Sequence, residues 1–300
     1  MVGRRSHTLS QARVQGPSYG VRSTELPTAK ELFDASVHVG HQVRRWNPKF
    51  RPYLYAHRYG ISIIDLEKTL IQLEKACAFL EQLVTSGQNV WLLGTKPQAR
   101  DVVRSIAEET AMPFCLVRWL GGTITNFPTI NEGLEKYRKF LAMEQRGDIE
   151  RMPNKEASSL RRKMLRLKNN FEGLLGIRER PAAIVAVDSG HEAIAIQEAN
   201  KWNIPVVALV DTNSDPSRVD HPIPANDDSV RSIQIIVRAI GDALLRGKEG
   251  RELRQAGKLS PLPSLEREDI ELDPQFTLSE DAEMALGNLE NLREKEEPKG

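Results

Sequence analysis

Cysteine is almost missing from this chain: of 300 residues only Cys77 and Cys115 carry a thiol, each among apolar neighbours and neither in a paired motif. That excludes a disulfide framework and a zinc ribbon, and it suits a reducing compartment. No uninterrupted apolar run reaches the roughly 20 residues that span a bilayer, and no apolar segment follows the first arginines as a secretory signal requires. Catalytic signatures are missing too. Neither G-x-G-x-x-G nor G-x-x-x-x-G-K-[ST] occurs, so the usual dinucleotide and phosphate cradles are excluded, and without G-x-S-x-G there is no nucleophile elbow. Residues 1–24 have no acid at all, although they hold Arg4, Arg5, Arg13 and Arg22. Such a segment reads as a disordered basic extension over 1–25, with an organellar transit peptide as the other reading.

What is present describes a soluble α/β protein. Apolar residues make up 40% and charged residues 28%, enough for one large domain or two smaller ones. The net charge of +1 hides a split. Residues 1–58 carry ten Lys and Arg against Glu25, Glu31 and Asp34, whereas from Ser264 onwards twelve Asp and Glu face four Lys and Arg. A front that binds a polyanion and a solvated acidic tail over 249–300 follow from that asymmetry.

In chain order, Thr28 and Glu31 form a capping box for a short helix. The next stretch, HVGHQVRRWNPKFRPYLYAHRYG, interleaves Arg44, Arg45, Lys49, Arg51 and Arg58 with Trp46, Phe50, Tyr53, Tyr55 and Tyr59. Guanidinium groups beside flat rings suit phosphate contact and base stacking, above all on RNA, and the two prolines predict an extended, exposed arm. Ile61–Leu66 reads as the first strand. Asp65 caps a helix whose Leu66, Leu70, Leu73, Cys77, Leu80 and Val84 recur at helical spacing, which makes Cys77 a core residue. Asn89–Leu93 is the second strand, followed by a capping box at Thr95 and Gln98, and Phe114–Val117 is the third, leading into the Gly121–Gly122 loop that carries Arg118. A further capping box at Thr129 and Glu132 starts two heptad-like helices around a turn at 145–154, an antiparallel coiled-coil hairpin over 129–175. Thirteen Lys and Arg against seven Asp and Glu make residues 134–180 basic. Arg161, Arg162, Lys163, Arg166 and Lys168 supply much of that charge, suited to a solvated face or to a phosphate backbone.

Ala182–Val187 and Ile204–Val210 are apolar runs, each ending in an aspartate and separated by a helix-length segment, the pattern of a parallel strand-helix-strand crossover. Ligands of open α/β sheets bind beyond the carboxyl ends of the strands, so Asp188 and Asp211 are candidates for a metal or a phosphorylated ligand. The plainer duties are turns and caps: Ser189 and Glu192 as a capping box, Asp211 to Asp215 as Asx turns, and Asp227 to Ser229 capping a last helix over Val230–Leu245. His38 and His41 have no sequence neighbours that complete a metal-ligand spacing.

Several of these stretches, in order, resemble the bacterial type of the small-subunit ribosomal protein S2 family. They are LFDASVHVGHQVRRWNPKFRPY, IIDLEKT, RWLGGTITNF, PAAIVAVDSGHEAIAIQEANKWNIPVVALVDTNSDP and IPANDDSVRSI, within 26–248. The resemblance implies a Rossmann-like or flavodoxin-like, mainly parallel sheet flanked by helices, with the helical hairpin inserted. It implies binding to small-subunit ribosomal RNA between head and body, with neighbouring small-subunit proteins and the messenger-binding protein S1 as partners, and no catalysis, cofactor, membrane or homo-oligomer. RNA contacts are then expected at Arg44, Arg45, Trp46, Lys49, Arg51, Arg58 and Arg118 and along the hairpin. The location implied is the ribosome of the cytoplasm, or of a mitochondrion or plastid if residues 1–24 are a transit peptide.

Overall fold

The computed structural model describes residues 26–256, so the basic extension over 1–25 and the acidic residues beyond 256 lie outside the described residues. Helix α1 (Ala29–Asp34) opens them with the expected box: Thr28 accepts from the Glu31 N–H, and the Glu31 carboxylate accepts from the Thr28 N–H at 2.8 Å. The segment expected as an extended arm is folded instead. Strands β1 (Val39–Gln42), β2 (Leu54–Arg58) and β3 (Ile61–Ile64) form a separate antiparallel sheet in the order β1-β3-β2. Ile61–Leu66 was expected in the parallel sheet. It pairs elsewhere because Tyr59 and Gly60 both take left-handed backbone, φ 48° and 75°, and turn β3 straight back along β2. The prolines do not keep the chain extended either. Pro48 stands at the start of a 3-10 helix where no backbone donor is needed, Asn47 caps it, and Phe50 is fully buried.

The main sheet has five parallel strands in the order β5-β4-β6-β7-β8: β4 (Val90–Leu93), β5 (Phe114–Cys115), β6 (Ala183–Ala186), β7 (Val206–Val210) and β8 (His221–Pro224). The middle three read as unbroken apolar runs because helices or loops cover both faces. Val90, Leu92, Val185, Val207 and Leu209 face one core, with α2 (Leu66–Thr85), α3 (Arg100–Thr110) and α7 (Val230–Gln255). Trp91, Leu93, Ile184, Val206 and Ala208 face the other, with α6 (Ala193–Lys201), the roots of α4 (Phe127–Gln145) and α5 (Asn154–Phe171), and Phe50 and Ile64 of the small module.

Local signals and element ends differ in three places. Strand β8 was not anticipated, since its Pro222 and Pro224 read as loop; it lies at the sheet's edge, where proline is tolerated. Helix α7 starts on the expected Ser229 cap but runs ten residues beyond Leu245, to Gln255. Helix α4 begins at Phe127 rather than after Thr129, whose hydroxyl is hydrogen-bonded to Asn126 Oδ1. Between β5 and β6, α4 and α5 do pack together. Ile130, Leu134, Tyr137, Met164, Phe171 and Leu174 are buried as their spacing predicts, and Ile149 with Ala157 closes the far end.

Candidate nucleic-acid interface

In the strand order β5-β4-β6-β7-β8 the chain direction of construction reverses between β4 and β6, and the ends of those strands form the crevice where doubly wound sheets take their ligands. Here this chain's own side chains fill it. The capping boxes expected at Thr95–Gln98 and Ser189–Glu192 do not form. Thr95 instead donates from its N–H and its hydroxyl to Glu192 Oε1, at 2.9 and 2.6 Å, across the two strand ends. Burial pushes the Glu192 carboxyl up, against the pull of those two bonds. Asp188, at φ 75°, accepts from the Gly190 and His191 N–H groups, both at 2.9 Å, with one oxygen and faces Lys96 with the other at 3.2 Å.

Lys96 is the hub of this cluster. Its ammonium lies 2.7 Å from Asp227 and 2.7 Å from Asp228. Burial by itself would lower the Lys96 pKa, but the bonds to Asp227 and Asp228 outweigh it and raise the value. Asp227 is pushed up to about 7, by burial first and then by the charges of Asp188 and Asp211. His41 joins from the small module, Nδ1 at 3.1 Å from Asp211 and Nε2 at 3.3 Å from Asp228; the bond to Asp211 raises its pKa. Asp211 is also tied to the Thr212 hydroxyl at 2.9 Å. So Asp188 and Asp211 belong to one cluster, linked through Asp227, and Lys96 is its internal counter-ion. His41, Asp227 and Asp228 each bring a donor atom within 4.8 Å of the others, the spacing of groups that can share one cation. Sequence reading missed this meeting because His41 is 170 residues or more from its partners.

The same corner seats the small module. The His41 N–H donates to Thr212 Oγ1 and the Asn47 N–H to the Thr212 carbonyl, both at 2.8 Å, while the Asn226 N–H donates to the Val37 carbonyl at 3.0 Å. On its outside the candidate RNA residues divide. Arg44, Arg45 and Arg51 are exposed, and Arg58 is half-buried. Lys49 is exposed yet paired with Asp215 at 2.7 Å, which holds that carboxyl down at about 2. Trp46 is half-buried against the second core, edge-on to His57. With Phe50 buried and Tyr53 half-buried, Tyr55 and Tyr59 are the exposed rings of the stretch.

Arg118 is exposed on a loop that one buried carboxylate shapes. Glu198 of α6 accepts from Trp119 Nε1 at 3.2 Å and from the Gly122, Ile124 and Thr125 N–H groups at 2.7, 3.0 and 3.2 Å. Burial opposes its charge, but those donors win and its pKa is lowered. Along α5, Arg161, Arg162, Lys163, Arg166 and Lys168 are all exposed, opposite the buried Ala157, Met164 and Phe171. Their ion pairs are loose, Arg161 to Glu150 at 3.7 Å and Lys168 to Glu172 at 3.9 Å. The thiols of Cys77 and Cys115 are buried and pushed up to about 12 by desolvation, so neither is a nucleophile. Among the described residues no helix is long and apolar enough to cross a membrane.

A doubly wound α/β domain with a self-filled crevice, carrying basic side chains on a docked module, a loop and a helix pair, defines the class: an α/β scaffold with basic outer surfaces. Comparison with known proteins narrows it. The family described as Ribosomal protein S2 matches residues 32–247. The small ribosomal subunit protein uS2 of Opitutus terrae is 50% identical over 231 residues, 77% of this chain and 76% of that protein. Those of Coprothermobacter proteolyticus and Thermus thermophilus are 47% and 45% identical, covering 75% and 74% of this chain and 84% and 87% of their own length. The chain belongs to the ribosomal protein S2 family, a structural family and not one of enzymes.

Proposed function

We propose that this chain is a structural constituent of the small ribosomal subunit, bound to its ribosomal RNA between head and body and supporting translation without catalysis. The observation that carries the reading is the placement of exposed positive charge. It stands on the module at Arg44, Arg45 and Arg51, on the loop at Arg118 and along α5, while the acids of the strand ends are turned inward on Lys96. Arg58 adds charge at the module's edge, Lys49 lies there paired with Asp215, and Trp46 supports the module from behind. Neighbouring small-subunit proteins, the messenger-binding protein S1 among them, complete the surroundings, and the chain acts as a single copy. Its place is the ribosome of the cytoplasm, or of an organelle where residues 1–24 serve as a transit peptide.

Sucrose-gradient sedimentation tests the reading. The chain is expected to travel with small subunits under salt that preserves them, and its confinement to the soluble fraction would refute the proposal. Changing Arg44 and Arg45 together to Ala is expected to weaken RNA binding and to flatten its dependence on salt by up to about two phosphate contacts. An unaltered slope in filter-binding titrations removes these two residues from the interface.

A further inference from the structure

The end of helix α6 carries a tryptophan that the core does not use. Asn203 takes left-handed backbone, φ 52°, and stops the helix; the Ile204 N–H then donates to the Ala199 carbonyl at 3.0 Å, and the Ile204 side chain returns to the second core. Trp202, between helix and stop, is left 43% exposed. Its ring nevertheless has one close contact. Arg180 Cζ lies 3.7 Å from the ring centre, so the guanidinium rests against the indole face. Arg180 Nε also donates to the Ile124 carbonyl at 3.1 Å, and Ile124 is itself fixed, fully buried with its N–H on Glu198 of α6 at 3.0 Å. Two supports thus hold one exposed guanidinium. Among the described residues no carboxylate pairs with it.

We propose that Arg180 is a phosphate-binding residue: Trp202 and the Ile124 carbonyl hold its guanidinium in place and leave its two Nη groups for a phosphate of the RNA backbone. The inference rests on the RNA-binding reading and adds a contact surface to it, at the opposite end of the main sheet from the acid crevice. Arg180 stands three residues before β6 and Trp202 four before β7, at the strand beginnings, whereas Asp188, Asp211 and Asp227 follow the strand ends. An arginine that moves freely loses rotamer freedom when it grips a ligand; one already stacked and hydrogen-bonded loses less, and its planar fork matches two oxygens of a phosphate. Exposed Arg178 and Lys201 are its neighbours along the chain, with Glu179 between the two arginines. Several cations around one fixed fork suit a partner whose negative charge repeats, as it does along an RNA backbone.

Filter-binding titrations of the full chain with deproteinised small-subunit ribosomal RNA, over a series of salt concentrations, test the proposal. Arg180→Gln is expected to bind about 10-fold more weakly and to lower the salt slope by about one phosphate contact. Trp202→Leu keeps the charge but removes its platform, so the slope should stay and the affinity fall about 2- to 5-fold. Arg180→Lys should also keep the slope and bind about 3- to 10-fold more weakly, because an ammonium has no fork. Wild-type slope and affinity in Arg180→Gln overturn the proposal and leave the RNA reading intact. With that result, a lower melting temperature assigns the pair to holding the end of α6, and weaker sedimentation with small subunits assigns it to a protein neighbour. A wild-type chain that does not bind this RNA overturns both readings. If Arg180→Gln fails to fold, Arg180→Lys decides: wild-type affinity in that variant overturns the phosphate fork.

Discussion

A single ammonium group, that of Lys96, faces Asp188 and the buried Asp227 on one side and the largely exposed Asp228 on the other. Removing one partner of such a cluster costs more than the cluster contributes, because the buried Asp227 and half-buried Asp188 left behind lose their ammonium counter-ion. Lys96→Met is therefore expected to lower folding stability by about 3–5 kcal/mol at pH 8. The pH dependence has a definite sign. Asp227 titrates at about 7 in the folded chain, above the ordinary carboxylate value, so its contribution is full under acid conditions and is lost as the pH rises through 7. In Lys96→Met that loss deepens, and the gap between variant and wild type in urea unfolding should shrink from pH 8 to pH 5. A constant gap would mean that Asp227 carries no proton in the folded state. Little of this cluster was legible in the sequence. Ser189 and Glu192 have the spacing of a local cap, but Thr95 offers Glu192 two donors at once from the next strand, and the long-range pair wins. Asp65 and Ser229, by contrast, keep the cap duties their positions predicted: Asp65 caps with one oxygen while the other faces Lys68 at 3.3 Å, and the Ser229 hydroxyl still accepts from the Ser232 N–H.

Among the elements, those that bury a regular pattern were readable from it. Strands β4, β6 and β7 are apolar without a break, and the stripe of α2 from Leu73 to Val84 is buried at helical intervals. The elements that escaped depend on turns and edges: β8 with its prolines, and a three-stranded sheet whose existence hangs on two left-handed residues. How that sheet is seated gives a prediction of its own. A Cβ at Gly40 in β1 would lie 2.5 Å from Thr212 Cγ2 and 2.9 Å from the Ser62 carbonyl oxygen. Gly40→Val should force β1 away from the loop after β7 at a cost of about 1–3 kcal/mol. Faster cleavage of the module in limited proteolysis, with weaker RNA binding, is the expected result. Wild-type proteolysis kinetics would mean that β1 shifts without consequence.

For the molecule as a whole, charge is sorted by depth. Near-zero net charge allows a protein to bind a polyanion only if its acids are kept away from the contact surface, and here Asp188, Asp211 and Asp227 are turned into the crevice while the arginines of the module and α5 face outward. Composition made that bias legible as a basic front and a basic insertion. It did not separate Lys49, neutralised by Asp215, from Arg44 and Arg45, since that pairing joins residues 166 apart.

Helix α5 also acts as a ruler. Arg161 and Lys168 are seven positions apart, which at a rise of about 1.5 Å per residue sets them roughly 10 Å from each other along the axis. Phosphates of one strand recur at roughly 3 Å along a duplex axis, so that length matches about three of them, fewer than the five cations it carries. Changing all five to Gln should then reduce the salt slope of RNA binding by about three contacts rather than five. A change of five would require the RNA to wrap around the helix, and no change would place α5 off the RNA altogether.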